Sequence, residues 1–145
     1  MKKAVILYNS QTGTTKKYAK EINQELALYG IEGDLYSISD QNLSQISFSD
    51  VDYVFFGSWT KGLLVIFQRP DAVWKKFVAE MPKIMDSKVA LFTTYKIRTG
   101  SMFRKMKESL LGVSPSPTLE LKSRDGLLEA GDKILLGEFV GADFN

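Results

Sequence analysis

Five consecutive apolar residues, Ala4-Val5-Ile6-Leu7-Tyr8, lead through Asn9 into a hydroxyl-rich turn, Ser10-Gln11-Thr12-Gly13-Thr14-Thr15, and then into an amphipathic helix. A strand that is apolar at every position has no solvent face, so it belongs mid-sheet with helices covering both sides. From Thr14 to Tyr29 the apolar residues Tyr18, Ala19, Ile22, Leu26 and Tyr29 recur at helical spacing opposite Lys16, Lys17, Lys20, Gln24 and Glu25. Gly30 is the expected stop.

The same alternation continues along the chain. Ile31 to Ile38 reads as an outer strand, residues 39 to 50 as a short helix or turn, and Val51 to Phe56 as a third strand ending at Gly57. Pro70 suits the first position of a helix with Val73, Phe77, Val78 and Met81 inside, followed by a buried strand from Lys88 to Thr94. Phe103, Met106 and Leu110 mark another inner helical face, and Thr118 to Leu121 a fifth strand. Leu127, Leu128, Ile134, Leu135 and Phe139 suggest a last helix, although Gly131 and Gly137 are poor helix formers. Five strands separated by helices predict an α/β fold with a doubly wound parallel sheet of order 2-1-3-4-5. Residues 1–145 are expected to form a single domain, because 145 residues with 44% apolar content can bury roughly two thirds of the unfolded surface. In such a sheet the ligand crevice opens at the carboxyl ends of strands 1 and 3.

Composition narrows the chemistry. With neither cysteine nor histidine, the chain cannot hold an iron–sulfur cluster through thiolates or run a Ser-His-Asp triad, so redox work would need an organic cofactor. A formal charge of +2, from 19 basic and 17 acidic residues, disfavours nucleic acid as a partner. Met1-Lys2-Lys3 and the short apolar run after it do not make a signal peptide, and no run is long enough for a membrane span; a cytoplasmic location is the expectation. No metal-binding or catalytic residue is assigned.

The turn at Ser10 to Thr15 suits an oxyanion. Free N–H groups and the dipole of the following helix favour negative charge, hydroxyls add donors, and Gly13 permits close backbone approach. An ordinary strand-to-helix turn with a Ser or Thr cap would use similar residues. The segment has neither the GxGxxG nor the P-loop spacing, which points to a mononucleotide.

Ile6-Leu7-Tyr8-Asn9-Ser10-Gln11-Thr12-Gly13-Thr14-Thr15-Lys16-Lys17-Tyr18-Ala19 resembles the N-terminal signature of the flavodoxin family throughout. The resemblance implies that Ser10, Gln11, Thr12, Gly13, Thr14 and Thr15 bind the phosphate of FMN. It also implies two flavin loops. Gly57-Ser58-Trp59-Thr60-Lys61-Gly62 looks like the loop that supplies an aromatic residue, with Trp59 either stacking on the ring, beside Ser58, Thr60, Lys61 and Gly62, or capping the sheet edge. Thr93, Thr94 and Tyr95 open the counterpart of the second loop, which is shorter and less acidic than usual for the family; Tyr95 either stacks or packs at the strand end.

The implied function is FMN-dependent electron transfer between redox partner proteins. The alternatives are an FMN-dependent quinone or small-molecule reductase and a flavin-free flavodoxin-like interaction module. The expected rim contains Lys61, Arg69, Lys96 and Arg98, which either make the potential for forming a reduced, anionic flavin less negative than is usual in the family or are solvated surface charges with no redox role. The run Leu63-Leu64-Val65-Ile66-Phe67 is expected to be an extra strand or helix against the core, or else an apolar wall for the flavin or a docking patch.

Overall fold

The first strand, β1 (Lys2–Asn9), lies inside the sheet with parallel neighbours on both sides: β2 (Ile31–Ser37) and β3 (Tyr53–Leu63). The computed structural model describes residues 2–39, 45–63 and 66–141. Beyond β3 come β5 (Lys88–Thr94) and β6 (Leu119–Ser123), giving the path β2-β1-β3-β5-β6. This is the expected 2-1-3-4-5 winding. It gains a strand, because β4 (Ile66–Pro70) folds back antiparallel onto the end of β3.

Alternation along each strand divides the core into two layers. Ala4, Ile6 and Tyr8 pack with Phe55, Phe92 and Leu121 beneath α1 (Thr14–Leu28) and α4 (Ala130–Phe139). Val5, Leu7, Val54, Phe56 and Leu91 face the other way, against α2 (Ala72–Ala79) and α3 (Met102–Leu110). Both faces of the parallel strands are therefore covered, which explains their nearly continuous apolar sequence.

The largest departure from expectation is at Gly57, which ends no strand. Gly57 sits within β3, opposite Phe92 of β5, and a Cβ there would lie 2.1 Å from the Phe92 ring. The glycine admits an aromatic ring from the neighbouring strand. Gly57 to Lys61 consequently form strand rather than loop, Gly62 falls where the β3–β4 register shifts between Lys61 and Leu63, and the strand continues to Leu63.

Pro70 likewise does not start a helix. It ends β4, and Asp71 is the N-cap of α2, accepting a hydrogen bond from the Val73 N–H at 3.1 Å. Proline is tolerated on such an outer strand. Phe77 and Val78 of α2 are buried as expected, but Trp74 joins them in place of Val73, which is 45% exposed; in α3 Met102 is buried, whereas Phe103 is only partly so. In α4 the inner residues are Leu136 and Phe139, and Ile134 and Leu135 face solvent. Residues 40–44, within the expected short helix or turn, lie outside the described residues, as do Leu64 and Val65 of the apolar run. The backbone of Leu63, Ile66 and Phe67 is in the hairpin.

Candidate functional site

At the carboxyl ends of β1, β3 and β5 the chain surrounds a cavity of about 270 Å³. Gln11, Thr12, Thr14 and Thr15 line it from the turn after β1, Trp59, Thr60 and Lys61 from β3, and Thr94 and Tyr95 from the end of β5. Nine of the fourteen residues expected at the site are therefore brought together there. Ser10, Gly13, Ser58, Gly62 and Thr93 are not in the lining.

Four of these five have identifiable structural positions that support the site. The Ser10 hydroxyl accepts from the Gly13 N–H at 3.0 Å and the Lys16 N–H at 3.3 Å, folding the turn back on itself. Gly13 precedes the helix with φ +93°, a left-handed conformation that favours glycine, and a Cβ there would meet nothing within 4 Å. Ser58 and Thr93 are fully buried neighbours in the sheet. The Thr93 hydroxyl donates to the Ser58 carbonyl at 2.6 Å and pairs with the Thr60 hydroxyl at 2.8 Å, tying a lining residue to the floor.

A second hydroxyl pair closes the space between the turn and the β5 end. Thr15 Oγ1 and Thr94 Oγ1 are 2.5 Å apart, and both residues are buried. The start of α1 is thereby pinned to the end of β5, immediately before Tyr95. Outside the lining, Asp71 accepts from Asn9 Nδ2 at 3.0 Å and lies 4.0 Å from Lys61 Nζ, joining β1, the hairpin and the start of α2.

Three additional lining residues define what the cavity can hold. Gln68, from β4, is 5% exposed; its carbonyl accepts from the Ser101 hydroxyl at 2.8 Å, and its side chain closes on Gly100, where a Cβ would lie 2.3 Å from Oε1. Arg124, after β6, donates from Nη2 to the Ile97 carbonyl at 3.1 Å and places its guanidinium 5.5 Å from the Tyr95 ring centroid. Ile97 also lines the cavity, beside Lys96 and Arg98. Gln68 reaches the cavity because β4 folds back antiparallel onto β3, a pairing that local sequence does not announce. Arg124 is placed by tertiary pairing: in the parallel register Thr94 lies opposite Ser123, which puts the next residue beside Tyr95.

The electrostatics favour an anionic ligand. Lys61, Lys96, Arg98 and Arg124 line the cavity, no carboxylate is among its described lining residues, and the first turn of α1 has no acidic residue. The helix start adds about half a positive charge. Arg69, expected on this rim, is in β4 opposite Lys61 and does not line the cavity.

Hydroxyls and a helix start for a phosphate, Trp59 and Tyr95 for a planar ring, and no carboxylate among the described lining residues together make a site that fits FMN. Below this site, Tyr18 donates to Asp132 at 3.1 Å. Burial, with the Asp132 charge next, raises the Tyr18 phenol pKa well above its usual range, so this group remains protonated.

A sequence model of the family described as Flavodoxin matches residues 6–111. No curated protein sequence matches this chain. Among solved structures, two-electron reduced Megasphaera elsdenii flavodoxin is similar at 20% identity and TM-score 0.74, over 97% of this chain and 99% of that one. Oxidised flavodoxin 2 from Bacillus cereus is similar at 20% identity and TM-score 0.72, over 97% and 96%. Rubredoxin oxygen:oxidoreductase from Desulfovibrio gigas is similar at 19% identity and TM-score 0.67; the match covers 96% of this chain and 34% of that one, so this chain spans about a third of its length. At these identities the structural matches establish likeness of fold. No helix among the described residues is long and apolar enough to cross a membrane.

Proposed function

This chain belongs to the flavodoxin family, whose members bind FMN and transfer electrons, and from that premise we propose that it carries electrons on FMN held in the cavity at the ends of β1, β3 and β5. The observation that carries this reading is the convergence of the hydroxyl turn, Trp59 and Tyr95 on one cavity with no carboxylate among its described lining residues. Gln11, Thr12, Thr14 and Thr15 would hold the phosphate, with Ser10 and Gly13 shaping their turn. Trp59 and Tyr95 would supply aromatic surface to the ring. Ser58 and Thr93 would fix the wall that presents Thr60 and Lys61, and Gly62 would set the register shift beyond it.

Bound FMN supplies the electron acceptance and donation. The chain's own contribution is to orient that group, limit water around it and set the local charge. Such a protein acts in the cytoplasm between redox partner proteins and needs no catalytic side chain of its own.

The test is to load the purified chain with FMN, photoreduce it and follow its reoxidation by ferricyanide, with NADH and NADPH tried separately as reductants. Rapid reoxidation without appreciable oxidation of either nicotinamide supports a carrier. Sustained nicotinamide oxidation by the chain alone refutes it and favours an FMN-dependent reductase.

A further inference from the structure

Around the cavity mouth, Lys61, Lys96, Arg98 and Arg124 are all exposed. Lys61 is partly offset by Asp71 at 4.0 Å, a carboxylate that also accepts from Asn9 and the Val73 N–H. Arg124 is oriented by the Ile97 carbonyl and the Tyr95 ring, contacts that fix its position without cancelling its charge. Lys96 and Arg98 form no ion pair among the described residues. The carboxylate of Asp125, next to Arg124, accepts from the Ser123 hydroxyl and the Leu127 N–H. Between Lys96 and Arg98, Ile97 is 44% exposed and offers an apolar contact within the charged surface.

This concentration is out of proportion to a chain whose net formal charge is only +2. The lysines of α1 provide an internal comparison, because the groove formed by Lys16, Lys17 and Lys20 also contains Glu21. We propose that the cavity rim is a docking surface for an acidic protein, one whose contacting face is rich in Asp and Glu. This inference rests on the FMN-carrier reading, because a partner exchanging electrons with the bound group must approach this mouth. Complementary charge would speed encounter and orient the pair, while Ile97 would provide contact once solvent is displaced.

The experiment uses an oligo-glutamate peptide and an oligo-lysine peptide of equal length as probes, titrated into isotopically labelled protein and followed by amide chemical shifts. Oligo-glutamate is expected to move the amides of Lys61, Lys96, Ile97, Arg98 and Arg124, and to bind more weakly as salt rises from about 0.02 to about 0.2 M. Oligo-lysine is expected to leave them in place. The double variant Lys96→Glu, Arg98→Glu should bind oligo-glutamate roughly tenfold more weakly at low salt, with its thermal midpoint checked to show that it is folded. Peptide settling on Lys16, Lys17 and Lys20, spreading without preference, or binding the double variant as tightly as the parent overturns the proposal.

The titration is run on flavin-free and FMN-loaded protein, and FMN binding is read separately from flavin fluorescence. Failure to bind FMN therefore removes the carrier reading, while mapping on the flavin-free chain still decides whether the rim selects acidic surfaces.

Discussion

Replacing Gly57 with alanine tests the packing that sets β3 against β5. The new Cβ would lie 2.1 Å from Phe92 Cε2 and Cζ and 2.6 Å from Cδ2. An ordinary contact needs about 3.5 Å, so the ring must retreat by roughly 1.4 Å or the strands must separate. Phe92 has little room to retreat: it is fully buried, and the Tyr18 ring packs edge-on with centroids 6.0 Å apart. Overpacking of this kind costs about 1–3 kcal/mol, and the closeness of the clash puts it at the upper end. The reduced freedom of the unfolded chain returns about 0.4–1 kcal/mol. A net loss of about 2 kcal/mol is expected, equivalent to a fall of roughly 6 °C in thermal midpoint for a chain of this size.

Urea unfolding of the flavin-free protein measures this loss as a lower midpoint with an unchanged slope. Phe92→Leu is also destabilising because it leaves space, but it should relieve the added methyl. The double variant should therefore be more stable than the sum of the single losses predicts, by about 1 kcal/mol. A Gly57→Ala protein within about 0.5 kcal/mol of the parent, or two strictly additive effects, would refute the reasoning.

Thr15→Val should destabilise by about 1–3 kcal/mol, since it leaves the buried Thr94 hydroxyl without its 2.5 Å partner, and Thr15→Val with Thr94→Val should recover part of the loss; chemical unfolding measures both. Lys96→Gln and Arg98→Gln should each shift the reduction potential of the FMN-loaded protein to more negative values by roughly 20 mV, the value of one charge about 10 Å away across water, and less in high salt; potentiometric titration reads the shift. The Asp125 carboxyl pKa is lowered chiefly by the Leu127 N–H and then by the Ser123 hydroxyl, so its contribution is present above the unfolded pKa and is lost as pH falls through the folded one. Asp125→Ala should accordingly be less stable than the parent at neutral pH, with the gap narrowing in acid; paired urea melts at several pH values check it.

The elements most legible in sequence are those whose side-chain pattern reports their burial directly. Ala4 to Tyr8 can only be a covered strand, and Tyr18, Ile22 and Leu26 form a stripe that the fold buries completely. The far half of β3 was less legible because Gly57-Ser58-Trp59-Thr60-Lys61 has the composition of a turn. Its strand character comes from non-local pairing: Phe92 lies opposite Gly57, and Lys61 lies opposite Arg69 across the hairpin. Proline at the end of an outer strand and proline opening a helix are locally similar, so sequence alone does not separate Pro70 ending β4 from Asp71 capping α2. The face of α4 was misjudged because Ile134 and Leu135 are apolar yet exposed, while Gly137 is buried in the same helix. At the site, the turn and both aromatic residues were legible; Gln68 and Arg124 depend on tertiary neighbours that no local spacing reveals.

The measurement that bears most directly on the account is a titration of the flavin-free chain with FMN and, in parallel, riboflavin, followed by quenching of flavin fluorescence. The account predicts saturable quenching at equimolar FMN, with riboflavin bound at least about tenfold more weakly because it lacks the phosphate that the turn at Gln11 to Thr15 would hold. Absence of FMN quenching at micromolar protein, or equal affinity for the two flavins, would contradict it.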